Sequence, residues 1–238
     1  MRSIFLILAV LALSACGEPE VETLDVKIPS GVQVPEGMVY IPEGEFIMGH
    51  PDEPRTRGGV KVSTPAYFID RYEVSRGAYA QFDPKRSVAE SKADFPVVFV
   101  NHAEAQAYCA SKGGRLPTEE EWEKAARGVD SRKWPWGRFF EHPNNGFSGF
   151  LSEPVAKRPE WISPYGLYGM GHNVWEWTAD WYGYPGQPRA DRETFRVIRG
   201  GLTQTHVTIK FSPTWFRNWM HPENAFQFLG FRCAKDVR

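Results

Sequence analysis

The sequence predicts a loop-rich α+β domain in which a few short helices and short strands are held together by large aromatic anchors. Three observations lead there. The 238 residues include 9 Trp, 16 Phe and 9 Tyr beside 22 Gly and 19 Pro, a combination that supplies many turns and many bulky side chains to pin them. Two stretches carry complete helix start and stop signals. Elsewhere no long run keeps a helical or an alternating period, so extended regular structure is scarce. With 42% hydrophobic residues the chain suffices for one domain with a sizeable core. Its 28 Lys and Arg, against 29 Asp and Glu, are scattered rather than clustered, which excludes an electrostatic footprint for nucleic acid.

Residues 1–15 read as a targeting segment. Arg2 provides a positive start and Ile4–Leu13 an apolar run too short to span a bilayer, ending in "LSAC". That ending resembles a bacterial lipobox, which makes Cys16 the lipidated residue that anchors the chain to a membrane. The competing reading is an ordinary secretory signal. Because Gly17 rather than Asp follows the cysteine, the lipobox reading implies the outer membrane, with the domain facing the periplasm. Residues 16–35 are acidic and carry prolines without apolar periodicity, as expected of a flexible tether, leaving 36–238 as the folded domain.

Along the domain, "GMVYIPEGEFIMGH" alternates apolar and turn residues and predicts an opening hairpin. A strand over Ala66–Tyr72 leads into a short helix that Ser75 can cap. In "NHAEAQAYCASKGG", Asn101 is an N-cap with Glu104 three residues on, Ala105, Tyr108 and Cys109 share a face, and Gly113–Gly114 stop the helix. In "RLPTEEEWEKAARG", Thr118 and Glu121 form a second capping box, Trp122, Ala125 and Ala126 face inward, and the acidic first turn and basic last turn suit the helix dipole. Beyond Trp134 no further long helix is expected, and short strands close the chain around "FRVIRGG" and "LGFRCAK".

One stretch demands chemistry. In "GLYGMGHNVWEW" an extended backbone puts Trp175 and Trp177 on one face and Glu176 on the other with Val174, so a desolvated carboxylate there needs a cation or several N–H donors. The segment is therefore a metal site or a buried hydrogen-bond hub.

These blocks, together with "YFIDRYEVSRGAYAQF", "PWG", "RVIRGG" and "GFRCA", occur in the order found in sulfatase-modifying-factor domains, and the sequence from about Pro35 to Asp236 resembles that family. The family includes formylglycine-generating enzymes and related domains of ergothioneine-synthesis and pyoverdine-maturation proteins. The resemblance implies a variant of the C-type-lectin-like fold. In the family's oxidases, two cysteines after "RGG" bind copper and activate oxygen to turn a substrate cysteine into formylglycine, a task suited to soft thiolate ligands. The corresponding positions here are Thr205 and Lys210, so copper is not expected.

The resemblance also implies a disulfide between Cys109 and Cys233, the alternative being two buried thiols. It further implies a Ca²⁺ site with Asn173 and Glu176 as side-chain ligands and His172 and Val174 giving carbonyls. Gly169, where the family commonly has Asn or Asp, removes one oxygen from that set. His206 is the candidate for residual catalysis, and Trp215, Arg217, Trp219 and His221 for a ligand groove, though each aromatic is also explained by core packing. His50, His102 and His142 read as surface or capping residues. Two functions follow as expectations. One is an envelope lipoprotein whose domain binds a periplasmic protein or peptide and assists maturation without copper; the other is a cysteine-independent oxidoreductase working through residues around His206.

Overall fold

A computed structural model describes residues 23–53, 58–137, 152–183, 193–201 and 213–237. Cys16, His142, Thr205, His206 and Lys210 lie outside the described residues. Nine strands and three helices follow in the order β1 (Met38–Ile41), β2 (Gly44–Met48), β3 (Val60–Thr64), β4 (Tyr67–Asp70), α1 (Arg76–Phe82), α2 (His102–Ser111), α3 (Glu119–Arg127), β5 (Trp175–Trp181), β6 (Arg196–Gly200), β7 (Asn218–Met220), β8 (Leu229–Gly230) and β9 (Ala234–Asp236) among the described residues. The strands form sheets ordered β1-β4-β9, β2-β3 and β7-β6-β5-β8. This is the mixed, loop-rich architecture that the composition and the resemblance predict.

The caps fall where the sequence puts them. Ser75 accepts from the Ala78 amide at 3.2 Å, and both Asn101/Glu104 and Thr118/Glu121 close reciprocal capping boxes. The expected opening hairpin does not form. β1 pairs antiparallel with β4 and β2 with β3, in separate sheets. Pro42 follows β1 at once and Gly44 takes φ 131, so the chain turns a corner instead of doubling back. Part of the stretch expected as a tether is also held on the domain: the Leu24 amide donates to Pro164 O at 2.7 Å, and Val26 packs against the core.

Two apolar clusters make the core. In one, Tyr79 of α1, Tyr108 and Cys109 of α2, Trp175 and Trp177 of β5, and Phe231 come together. In the other, Ile41, Tyr67 and Ile69 meet Trp122, Ala125 and Ala126 of α3. A Cys109–Cys233 disulfide, with 5.4 Å between Cα atoms, ties α2 to the residue before β9. Every residue of α3 except Glu120 is buried, so its charged side chains do not lie on a solvated surface. They enter the site.

Candidate functional site

β5 carries Glu176 into the interior, where it is fully buried. The protein itself supplies what such a carboxylate requires. Arg232, on the loop between β8 and β9, grips it in a fork, Nε to Oε2 and Nη2 to Oε1, each at 2.7 Å, and Trp122 Nε1 adds a bond to Oε2 at 2.8 Å. Arg232 spends its remaining donors on the carbonyls of Asp70, Arg71 and Tyr168, stitching three chain segments to β5. Burial works against the charge of Arg232, but Glu176 outweighs it and the guanidinium is held above its ordinary value.

Asn173 stands beside this pair with φ 74, a left-handed conformation that Asn tolerates better than most side chains. Its Oδ1 accepts from the Glu153 amide at 2.8 Å and its Nδ2 donates to Glu73 Oε1 at 3.0 Å. Glu73 is buried too, and among the described residues its Oε2 meets no hydrogen-bond partner. Burial, opposed by Arg232, pushes the Glu73 carboxyl up to about 8. Gly169, at φ 76, makes room for it: a Cβ there would lie 2.4 Å from the carboxyl group.

The implied Ca²⁺ set can be tested against these contacts. Both Glu176 oxygens already accept from Arg232, and Asn173 Oδ1 already accepts a main-chain N–H. A calcium ion on Asn173 and Glu176 would have to compete with a buried guanidinium, so that donor set does not fit. His172 and Val174, expected to offer carbonyls, are buried, and the His172 carbonyl accepts the Val174 amide at 3.1 Å. Among the described residues, no three His, Cys, Asp or Glu side chains gather to hold a metal ion.

A second buried lattice begins one residue before Gly200–Gly201, where β6 ends. Arg199 donates to Glu119 Oε1 at 2.9 Å, Glu123 Oε2 at 2.7 Å and Thr214 O at 2.5 Å. Arg217 forks onto both Glu119 oxygens, with Nη2 to Oε2 at 2.9 Å and a shorter contact from Nε to Oε1. Glu123 Oε1 also accepts from Arg127 and from the Gly49 amide, at 2.8 and 2.7 Å. Three guanidiniums thus share two carboxylates on one face of α3. Together with the Thr214 bonds to Lys133 and Arg132, this fixes the chain on both sides of residues 202–212.

Residues 26–237 match the model of the sulfatase-modifying factor enzyme 1-like domain. The chain belongs to that family. It is 34% identical over 210 residues to the inactive C-alpha-formylglycine-generating enzyme 2 of Bos taurus, covering 77% of this chain and 63% of that protein. It is 37% identical over 170 residues to the hercynine oxygenase of Mycobacterium tuberculosis, covering 63% of this chain and 39% of that one. The chain therefore spans less than two thirds of either relative. The solved structure of PvdO from Pseudomonas aeruginosa superposes with a TM-score of 0.69 over 89% of this chain and 100% of that one, at 22% identity, a likeness of fold.

Within this family domain, the four residues expected to line a groove do not share one open face. Trp215 is buried, stacked on His50 with ring centroids 4.5 Å apart, and Arg217 is buried on Glu119. Trp219, 45% exposed, and His221 lie at the surface, where Phe195 packs 4.5 Å from the Trp219 ring and 6.2 Å from His221. His102, read as a surface or capping residue, is buried. Its Nε2 lies 3.0 Å from Thr178 O, its ring meets Trp177 edge-on, and burial lowers its pKa to about 4. Sequence reasoning missed Arg232, Glu73 and the Glu119–Glu123–Arg199–Arg217 lattice. The signal was an arginine inside the apolar strand "RVIRGG" and another in "GFRCA", since each buried guanidinium obliges a carboxylate elsewhere.

Proposed function

We propose that this chain is a lipid-anchored envelope protein whose formylglycine-generating-enzyme-like domain binds a periplasmic protein or peptide and does not oxidise cysteine. One observation carries the reading. Of the three cysteines in the sequence, Cys109 and Cys233 are joined to each other, which leaves only Cys16. No pair of thiolates is left to hold Cu(I), and Thr205 and Lys210 offer a poor ligand and a cation in the positions that correspond to the family's copper cysteines. Similarity to a relative named inactive supports the same direction. The aromatic group of the exposed Trp219 and His221 with the half-buried Phe195 is the proposed binding face, because aromatic surface of this kind anchors peptide partners. The reading needs no calcium, since Arg232 meets the charge of Glu176.

The test incubates the purified full chain with copper, oxygen and a cysteine-containing sulfatase peptide. The expected yield of aldehyde, read by mass spectrometry, equals that of copper alone, and catalytic conversion overturns the reading. Similarity to a hercynine oxygenase favours a second reading, an oxidoreductase independent of cysteine. It predicts that His206→Ala abolishes a host phenotype that the wild-type gene restores, whereas the binding reading predicts loss from Trp219→Ala instead.

A further inference from the structure

Away from the Glu176–Arg232 and Glu119–Glu123 networks, α1, the loop after it and the strap 96–99 enclose a cleft of about 400 Å³, within the range of small-ligand sites. Its apolar lining includes Tyr79, Val97 and Val98, which are buried, Val88, which is half-buried, and Phe99, 52% of whose surface is exposed. Arg76 and Arg86 bring two guanidiniums to the same space.

The two arginines do different jobs. Arg86 is a clamp: its Nη1 and Nη2 donate to Val98 O at 3.2 Å and Phe99 O at 2.6 Å, its guanidinium lies 5.4 Å from the Tyr79 ring, and Glu104 at 3.6 Å offsets its charge. Arg76 is held but not used up. Its Nε donates to Pro96 O at 3.2 Å and its guanidinium sits 5.7 Å from the Phe95 ring. Among the described residues its Nη1 and Nη2 meet no acceptor.

Phe99 is the second observation. Its φ of 57 is unfavourable for a bulky residue, yet the conformation is fixed from both sides, by its amide on Phe226 O at 3.0 Å and by Arg86 on its own carbonyl. That backbone holds a large aromatic ring in a half-exposed position at the cleft instead of burying it.

We infer that this cleft binds a monocarboxylate carried on an aromatic or branched apolar body, with the Nη fork of Arg76 taking the carboxylate and Phe99, Tyr79 and Val97 taking the body. A planar guanidinium with both Nη groups open matches the two oxygens of a carboxylate. One uncompensated guanidinium matches one negative charge. A phosphate dianion would carry a second negative charge that one open guanidinium cannot match, since Glu104 already offsets Arg86. The same chemistry is offered by a small free acid and by the C-terminal residue of a peptide, and the experiment separates them.

The purified full chain is titrated with N-acetylphenylalanine, with N-acetylphenylalaninamide, and with a hexapeptide ending in Phe as free acid or amide. The Arg76 Nε–H and the Val97 and Val98 methyl resonances are followed by NMR. Both acids are expected to shift these signals saturably, with Kd of roughly 0.1–1 mM for a ligand of about fifteen heavy atoms. Each amide, and the wild-type acids against Arg76→Gln, should bind at least about tenfold more weakly. Saturation by the free acid alone identifies a small-molecule site, and by the peptide alone a peptide-end site. Equal binding of acid and amide to the wild-type chain overturns the proposal whatever the variant does, as does the absence of any saturable shift at these three residues.

Discussion

Replacing Glu119 with Gln keeps the shape of the side chain and removes one of the two carboxylates that three buried guanidiniums share. Glu119 is 1% exposed, and its oxygens accept from Arg199 and twice from Arg217. A glutamine can present one oxygen, but its NH₂ then faces a guanidinium donor, and Arg217 loses its counter-charge where water does not reach. Stripping one partner from a buried pair costs about 3–5 kcal/mol. At about 2–4 °C per kcal/mol for a domain of this size, the melting temperature should fall by roughly 10 °C. Urea denaturation of wild type, Glu119→Gln, Arg217→Met and the double variant measures both the loss and the coupling. The double variant should be at least about 1.5 kcal/mol more stable than the sum of the single losses predicts. Asp236→Asn is the control: it breaks an ion pair with Arg115 in which Asp236 is 72% exposed, and should cost at most about 0.5 kcal/mol. A Glu119→Gln loss below about 1 kcal/mol, or additivity within about 0.5 kcal/mol, refutes the view that the lattice fixes the chain around 202–212.

Three further outcomes are expected. Cys109→Ala/Cys233→Ala should lose up to about 4–5 kcal/mol, the chain-entropy value for a loop of about 125 residues; thiol titration of the unreduced, denatured wild-type chain should find neither cysteine free. His102, whose folded pKa of about 4 lies below its ordinary 6.5, must shed a proton to fold, so its contribution to stability is present above pH 6.5 and is lost as pH falls toward 4. His102→Gln, which can still donate to Thr178 O, should flatten that fall, and parallel stability profiles for the two proteins would contradict the assignment. Finally, chelator should leave the wild-type melting temperature unchanged, while Arg232→Met lowers it by roughly 10 °C because Glu176 is left buried without its cation. A chelator-dependent melting temperature would restore the calcium reading.

How much of this was legible beforehand depends on the distance over which each interaction acts. Helix boundaries came directly from sequence, because capping boxes such as Asn101/Glu104 and Thr118/Glu121 join residues three apart and need no knowledge of the rest of the chain. The need of Glu176 for a cation or several N–H donors was equally local, following from its place between two tryptophans on an alternating backbone. The answer was not local. Arg232 lies 56 residues away, and nothing in the spacing of "NVWEW" and "GFRCA" says that the two segments meet. The same holds for α3: its acidic start and basic end satisfy the helix-dipole rule, and only packing on every side reveals that Glu119 and Glu123 serve Arg199 and Arg217. The missing hairpin has the same origin, since local alternation fixes that Met38–Ile41 and Gly44–Met48 are strands, whereas the choice of β4 and β3 as their partners belongs to long-range pairing. Sequence alone was enough for the family, the helices and the demand for buried counter-charges, whereas the pairing of Cys109 with Cys233 needed the fold. The tertiary structure decided which residues meet that demand, because a desolvated charge constrains what must surround it but not where along the chain its partner lies.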